Sequence, residues 1–193
     1  MKTVTVTVYL SSLCPDCIEA VTKQIYPAYI KLAPTGILNL QFIPYGNAHA
    51  KRIGEKYEFS CQHGPDECLG NKMETCAIHH SSESFTNQSR SSVDFINCME
   101  NYGPTLVNSE YCAITNNLSW QLISACAHGT EGDELLFKMA EMTDALNPPH
   151  TSVPWYSVNG VHSEEIQEGL LSDMLTYVCK VYTGPKPEVC VPQ

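Results

Sequence analysis

Polar and apolar residues alternate along Thr3 to Tyr9, with Val4, Val6 and Val8 set between Thr3, Thr5 and Thr7. A period of two built from β-branched residues predicts a strand. From Ile18 the spacing changes: Ile18, Val21, Ile25, Ala28 and Leu32 recur as on one face of a helix, which ends before Pro34-Thr35-Gly36. Pro27 inside that run is expected to kink or split it. Leu38, Leu40 and Phe42 then alternate into a second strand closed by Pro44-Tyr45-Gly46. Strand, crossover helix and strand make a βαβ unit with parallel strands.

Residues 47 to 146 read differently. Residues 57 to 61 could extend briefly; cysteines, glycines and polar helices follow. Three helical faces are visible: Val93, Phe95, Ile96 and Met99; Leu118, Leu122, Ile123 and Cys126; and Leu135, Leu136, Met139, Met142 and Leu146. Ser81 to Ser92 is polar and reads as a loop. From Val153 the strand pattern resumes through Val158, meets the hairpin signal Asn159-Gly160, and continues at Val161-His162. Ser163 with Glu164 and Glu165 opens a last helix carrying Ile166, Leu170, Leu171, Met174, Leu175 and Val178. The order β-α-β, helical segment, β-β-α is that of an α/β, thioredoxin-like fold. The expected organisation is one domain over 1–193 with a disulfide-stapled, mainly helical insertion at about 47–146 and a proline-rich tail at 183–193.

Composition narrows the setting. The chain has 193 residues, a formal charge of −10 and no basic cluster, which argues against nucleic acid or an anionic membrane surface as partner. No apolar run is long enough to span a membrane. Protonating the seven histidines would bring the charge to about −3, so acid conditions would relieve self-repulsion. Ten cysteines point to an oxidising compartment with several structural bridges, Cys179 with Cys190 being one candidate that would tie down the tail. Two N-glycosylation sequons, at Asn87 and Asn117, agree with a secretory route. The strand pattern begins directly after Met1-Lys2, so the expected leader was removed or never existed.

The chemistry centres on Cys14-Pro15-Asp16-Cys17, placed where the first strand passes into the first helix. A C-x-x-C can be half a zinc site, a structural bridge or a redox pair. Zinc would need a second ligand pair at matching spacing, and Cys61, His63, Cys68 and Cys76 are spaced too loosely, so no metal is expected. At a helix start, Cys14 gains unpaired N–H groups and the positive end of the dipole, which favour a thiolate; this makes it the candidate nucleophile. Cys17, one turn on, is the candidate resolving thiol. Pro15 suits the first turn, whereas Asp16 places a carboxylate that opposes thiolate formation. Val153 and Pro154 are the candidate substrate-positioning residues; in thioredoxin-like folds such a proline is cis and faces the dithiol.

A second stretch, Cys61 to Cys76, reads from spacing alone as a loop stapled by disulfides, in which His63 is a hydrogen-bonded residue or a proton relay. It also matches the signature C-Q-H-G-x-x-E-C-x-x-N-x-x-x-x-C of the gamma-interferon-inducible lysosomal thiol reductase family, through Cys61, Gln62, His63, Gly64, Glu67, Cys68, Asn71 and Cys76. The resemblance extends to Cys14 and Cys17, to Pro44-Tyr45-Gly46-Asn47, to Cys98-Met99-Glu100 and to Val153 through Gly160. It implies a glycosylated thiol reductase of the endosomal and lysosomal system that opens protein disulfides at acid pH. The dithiol would need no metal or organic cofactor, only an external small thiol to regenerate it. An oxidase or isomerase on the same fold, and a non-catalytic stapled binding protein, are the rival readings. Secretion is the alternative to lysosomal delivery, and the sequence assigns no oligomeric state.

Overall fold

A computed structural model of the chain describes residues 3–191. The central strand β1 (Val4–Leu10) lies between β2 (Leu38–Pro44), to which it is parallel, and β5 (Trp155–Val158), to which it is antiparallel. The connection from β1 to β2 is helical throughout: α1 (Pro15–Ala20), a π-helical turn over Val21–Ile25, and α2 (Tyr26–Leu32). Pro27 has no N–H to continue the ladder, and the chain absorbs this in the π turn, where Tyr26 N–H bonds to the Val21 carbonyl. The expected split is therefore a local widening of one helical rod.

Both faces of β1 are covered, which is why Thr7 and Tyr9 are buried along with its valines, Thr5 alone being half-buried. Val4, Val6, Val8 and Leu10 share a core with Ile25, Leu32, Leu40, Phe42, Tyr156 and Val178. On the other face Tyr9, Ile43, Tyr45 and Trp155 pack with Leu136, Met139 and Ala140. The outer edge of β2 would present unpaired backbone groups. The segment 86–88 covers it: the Gln88 amide accepts from Phe42 N–H and donates to the Phe42 carbonyl, both at 2.9 Å, while the Thr86 carbonyl accepts from Asn39 and Gln41.

Between β2 and β5 lie a hairpin, β3 (His49–Ile53) with β4 (Lys56–Ser60), and the helices α3 (Pro65–Ser81), α4 (Arg90–Tyr102), α5 (Leu106–Thr115), α6 (Trp120–His128) and α7 (Thr130–Asp144). Ser89, Thr105 and Ser119 cap α4, α5 and α6 by accepting from the N–H three residues on, and Ser163 does the same for α8 (Glu164–Val181). Four disulfides staple these parts: Cys61–Cys68, Cys76–Cys126, Cys98–Cys112 and Cys179–Cys190. The last ties the tail to α8; the tail's final residues, Pro192 and Gln193, lie outside the described residues, as do Met1 and Lys2. Asn87 and Asn117 are both exposed.

One expectation needs correction. Asn159 and Gly160 do form a tight turn, both with positive φ (51° and 80°). No strand follows it. Val161 makes a single bridge to Val158, and His162 folds back to stack on Trp155 with ring centroids 3.7 Å apart. The closing unit is one strand, a turn and a helix.

Three acids are buried, and two of them, Glu74 of α3 (0% exposed) and Glu100 of α4 (3%), have no hydrogen-bond partner outside the pair among the described residues. Burial pushes the Glu74 carboxyl up to about 8 and raises Glu100 well above the usual carboxylate range, Glu74 adding to the latter. An unfolded carboxyl ionises near 4.3, so the folded chain binds more protons than the unfolded one between that pH and about 8. The stability from these protons is complete at low pH and is lost as pH rises through the folded values. Thermal melts from pH 5 to 7 should therefore show wild type losing up to about 1.4 kcal/mol per pH unit per proton relative to the Glu74→Gln/Glu100→Gln variant. Parallel curves would show that the two acids are ionised in the fold.

Candidate active site

β1 ends at Leu10, and after three intervening residues Cys14 caps α1 in extended conformation (φ −72°, ψ 118°). Its Sγ accepts the Cys17 N–H at 3.2 Å, taking the place that a serine or aspartate oxygen fills in an ordinary cap. Pro15 occupies the first turn, where its missing N–H leaves nothing unpaired. Hydrogen bonding from the Cys17 thiol, helped by the Cys17 N–H, lowers the Cys14 thiol to about 7 against the opposition of burial and the Asp16 charge. Cys17 moves the opposite way. Burial drives it up strongly, and its hydrogen bond to Cys14, the Cys14 charge and Glu100 add to the rise. Both thiols are free, and Cys14, although it stands at a helix start, is only 6% exposed. The cover comes from the chain before β5, whose Val153 carbonyl lies 3.7 Å from Cys14 Sγ.

The Val153–Pro154 peptide is cis. Gln167 of α8 fixes this turn: its amide donates to the Pro154 carbonyl at 2.8 Å and accepts from Tyr156 N–H at 3.0 Å. Beside it a cavity of about 320 Å³ is lined by Asp16, Glu19, Lys23, Val153, Pro154 and Leu171, among others. Thus Asp16, Val153 and Pro154 come together at one groove next to Cys14. Gln167 carried no signal in the sequence, since a glutamine on an amphipathic helix reads as a solvated residue.

The signature stretch lies beneath the dithiol loop. Asn71 Oδ1 accepts the Ser12 N–H at 2.9 Å, Asn71 Nδ2 donates to the Tyr45 carbonyl at 3.4 Å, and the Ser12 hydroxyl donates to the Glu67 carbonyl at 3.0 Å. Contact is close enough that a Cβ on Gly70 would sit 2.3 Å from Ser12 Oγ. Gly46, at φ +65°, likewise leaves no room for a Cβ against Ser11. The fully buried Glu67 carboxyl takes the His63 N–H at 3.2 Å and lies 2.6 Å from His63 Nδ1. Gln62 accepts from Asn47, which pairs in turn with His150. Gly64 (φ +90°) and the Cys61–Cys68 bridge shape the entry into α3, and Cys76–Cys126 joins α3 to α6. With Cys61, Cys68 and Cys76 in disulfides, none is a thiolate available to zinc. Elsewhere, exposed His79, His80 and Glu131 bring three ligand-type atoms within 4.8 Å of one another.

Replacing Asn71 by alanine strands the buried Ser12 N–H and Tyr45 carbonyl. It should cost about 1–3 kcal/mol in a denaturant melt and move the alkylation profile of Cys14 to higher pH. Loss of stability with an unmoved profile would show that the loop keeps the Cys14 geometry unaided.

The model of the family described as gamma interferon inducible lysosomal thiol reductase matches residues 5–127. The chain is 36% identical to the gamma-interferon-inducible lysosomal thiol reductase of Carassius auratus, over 97% of this chain and 72% of that protein. It is 34% identical to GILT-like protein 1 of Drosophila melanogaster (97% and 78%) and 32% identical to the thiol reductase of Mus musculus (97% and 71%). Among solved structures, DsbA of Chlamydia trachomatis superposes with a TM-score of 0.60 at 13% identity, covering 89% of this chain and 86% of that one. DsbA1 of Wolbachia pipientis gives 0.55 at 14%. These two likenesses establish the thioredoxin-like fold. The dithiol at the strand-to-helix junction, the complete signature beneath it and the match along the chain lead to one assignment: the protein belongs to the gamma-interferon-inducible lysosomal thiol reductase family and is a thiol–disulfide oxidoreductase.

Proposed function

We propose that the protein reduces disulfides of protein substrates in an acidic compartment of the endosomal and lysosomal system. The observation that carries this reading is the divergence of two thiols three residues apart, Cys14 lowered to about 7 and Cys17 raised. Cys14 thiolate attacks one sulfur of the substrate disulfide, forming a mixed disulfide and expelling the other sulfur as a thiolate that takes a proton from water. Cys17 then gives up its proton and attacks Cys14 Sγ, which releases the second substrate thiol and leaves Cys14 and Cys17 joined. Two electrons pass to the substrate, and a small external thiol returns them to the protein. Val153 and Pro154 support an extended substrate segment beside Cys14.

Acid operation favours a lowered thiol. At pH 5 a pKa of about 7 leaves about 1% of Cys14 as thiolate, against about 0.03% for an ordinary cysteine. The names of the relatives and the relief of a −10 charge by histidine protonation support the acidic setting. Among the described residues no helix is long and apolar enough to cross a membrane.

Incubated with a disulfide-bonded protein, the Cys17→Ser variant should accumulate a covalent complex that added reductant releases. Cys14→Ser should neither capture nor turn over substrate. Non-reducing gels read both outcomes; capture by Cys14→Ser alone would reverse the two roles, and capture by neither would remove the reductase reading. Asp16 opposes the Cys14 thiolate, so Asp16→Asn should lower the Cys14 pKa and raise turnover at pH 5. A thiolate absorbance titration that is unmoved, or moved upward, would exclude Asp16 from the electrostatics of the site.

A further inference from the structure

Glu74 and Glu100 take no part in the reaction as drawn, yet Glu100 acts by its charge on Cys17, and Glu74 acts on Glu100. All four of their carboxyl oxygens are buried, and none meets a donor from another group among the described residues. The two carboxyls are within hydrogen-bonding reach of each other. Two carboxylates are acceptors only, so that contact is a bond only if at least one carries a proton. An anion there would find no donor among the described residues, and the helix positions around the two acids, Met73, Thr75 and Cys76 on α3 and Phe95, Ile96 and Met99 on α4, are themselves buried. Glu67, whose carboxyl is paired with His63, adds further negative charge from α3. From α1 and its cap, the Cys14 charge bears on Glu100 and the Glu100 charge on Cys17.

Resting on the dithiol reading above, we propose that Glu74 and Glu100 are a proton-sharing pair coupled by charge to Cys14 and Cys17, holding a proton in the reduced thiolate enzyme that they yield more readily once the two sulfurs are joined. A disulfide is neutral, so oxidation removes the thiolate charge that opposes ionisation of Glu100. Linkage is reciprocal, and an ionised Glu100 opposes the thiolate equally. The proton count follows. Reducing the disulfide with two electrons gives one thiol at Cys17 and, above the Cys14 pKa, one thiolate, with uptake of one proton. Where the pair is ionised in the disulfide form and protonated in the thiolate form, reduction takes up a second proton. At acid pH the pair is neutral in both forms and leaves the thiolate unopposed; as pH rises it works against the reduced site. Glu74 and Glu100 are thus positioning residues that make the reduction potential of the couple fall more steeply with pH than the two cysteines alone would.

The test is the pH dependence of the reduction potential of the Cys14–Cys17 couple, measured for wild type and Glu74→Gln/Glu100→Gln. One proton is a tenfold change in equilibrium constant per pH unit, about 30 mV for two electrons. Between pH 7 and 9 the wild-type slope should steepen from one proton towards two, and the variant should keep one. Equal slopes with an intact couple would overturn the pair's role and leave the reductase reading standing; absence of a reversible couple would overturn both. Should the double variant not fold, infrared difference spectra of wild type at pH 8 serve instead. Reduction should increase a protonated-carboxyl band, which Glu100→Gln removes or shifts. A difference spectrum without a carboxyl band would overturn the proposal.

Discussion

Ser12 commits both of its polar groups to α3, the N–H to the Asn71 side chain and the hydroxyl to the Glu67 carbonyl, and the dithiol depends on that attachment. The loop from Leu10 to Cys14 has one turn of its own, closed by Cys14 N–H to the Ser11 carbonyl at 3.3 Å, so the position of Cys14 Sγ against the Val153 carbonyl follows from where that turn is held. Residues four apart on a helix share a face, which is why Glu67 and Asn71 act on the same serine, and glycine between them at position 70 admits the loop to contact distance. The disulfides then have a clear purpose. Cys61–Cys68 fixes the start of α3 and Cys76–Cys126 its middle, so the floor of the site is fastened at two points of one helix.

β1, the helical crossover and β2 were legible because their signals are local: valines at period two, and apolar residues at helical spacing. The hairpin β3–β4 was not, apart from a hint at residues 57 to 61. It is largely exposed and built from residues such as His49, Lys51 and Arg52, so no buried face imposed a pattern on it. α3 was hidden for the opposite reason. It is buried on most sides and fills that space with Glu67, Asn71, Glu74 and Thr75, which left no apolar stripe to find. Where a stripe existed, single positions still strayed: Leu122 and Met142 belong to the expected faces but are 51% and 38% exposed.

At the site, the two cysteines and their order were legible from spacing and from the helix start. Val153 and Pro154 were expected beside the dithiol; what escaped was how residues contributed from a distance act there. Cys14 is covered by a residue 139 positions away, and Gln167 braces the cis turn from the last helix. The signature residues were visible as a motif, but their work as a cradle was not, because it depends on a serine that no motif marks.

The same surroundings treat two chemically identical thiols in opposite ways, and the acid pair shows why this can be sustained. Cys14 sits where backbone and thiol donors converge, so a charge there is solvated by the protein; Cys17, one turn deeper, meets burial and negative groups that outweigh its backbone hydrogen bond with Ser11. A floor of two leucines would cost less than two buried acids at neutral pH, since an unpaired buried charge is expensive and apolar replacements are often stabilising. The difference narrows as pH falls, because a protonated pair is neutral and satisfies itself by one internal hydrogen bond. Buried acids close to a dithiol are therefore better tolerated the lower the pH, where a neutral pair leaves the thiolate of Cys14 unopposed, while burial of Cys17 keeps its thiol protonated until a mixed disulfide brings an electrophilic sulfur to it.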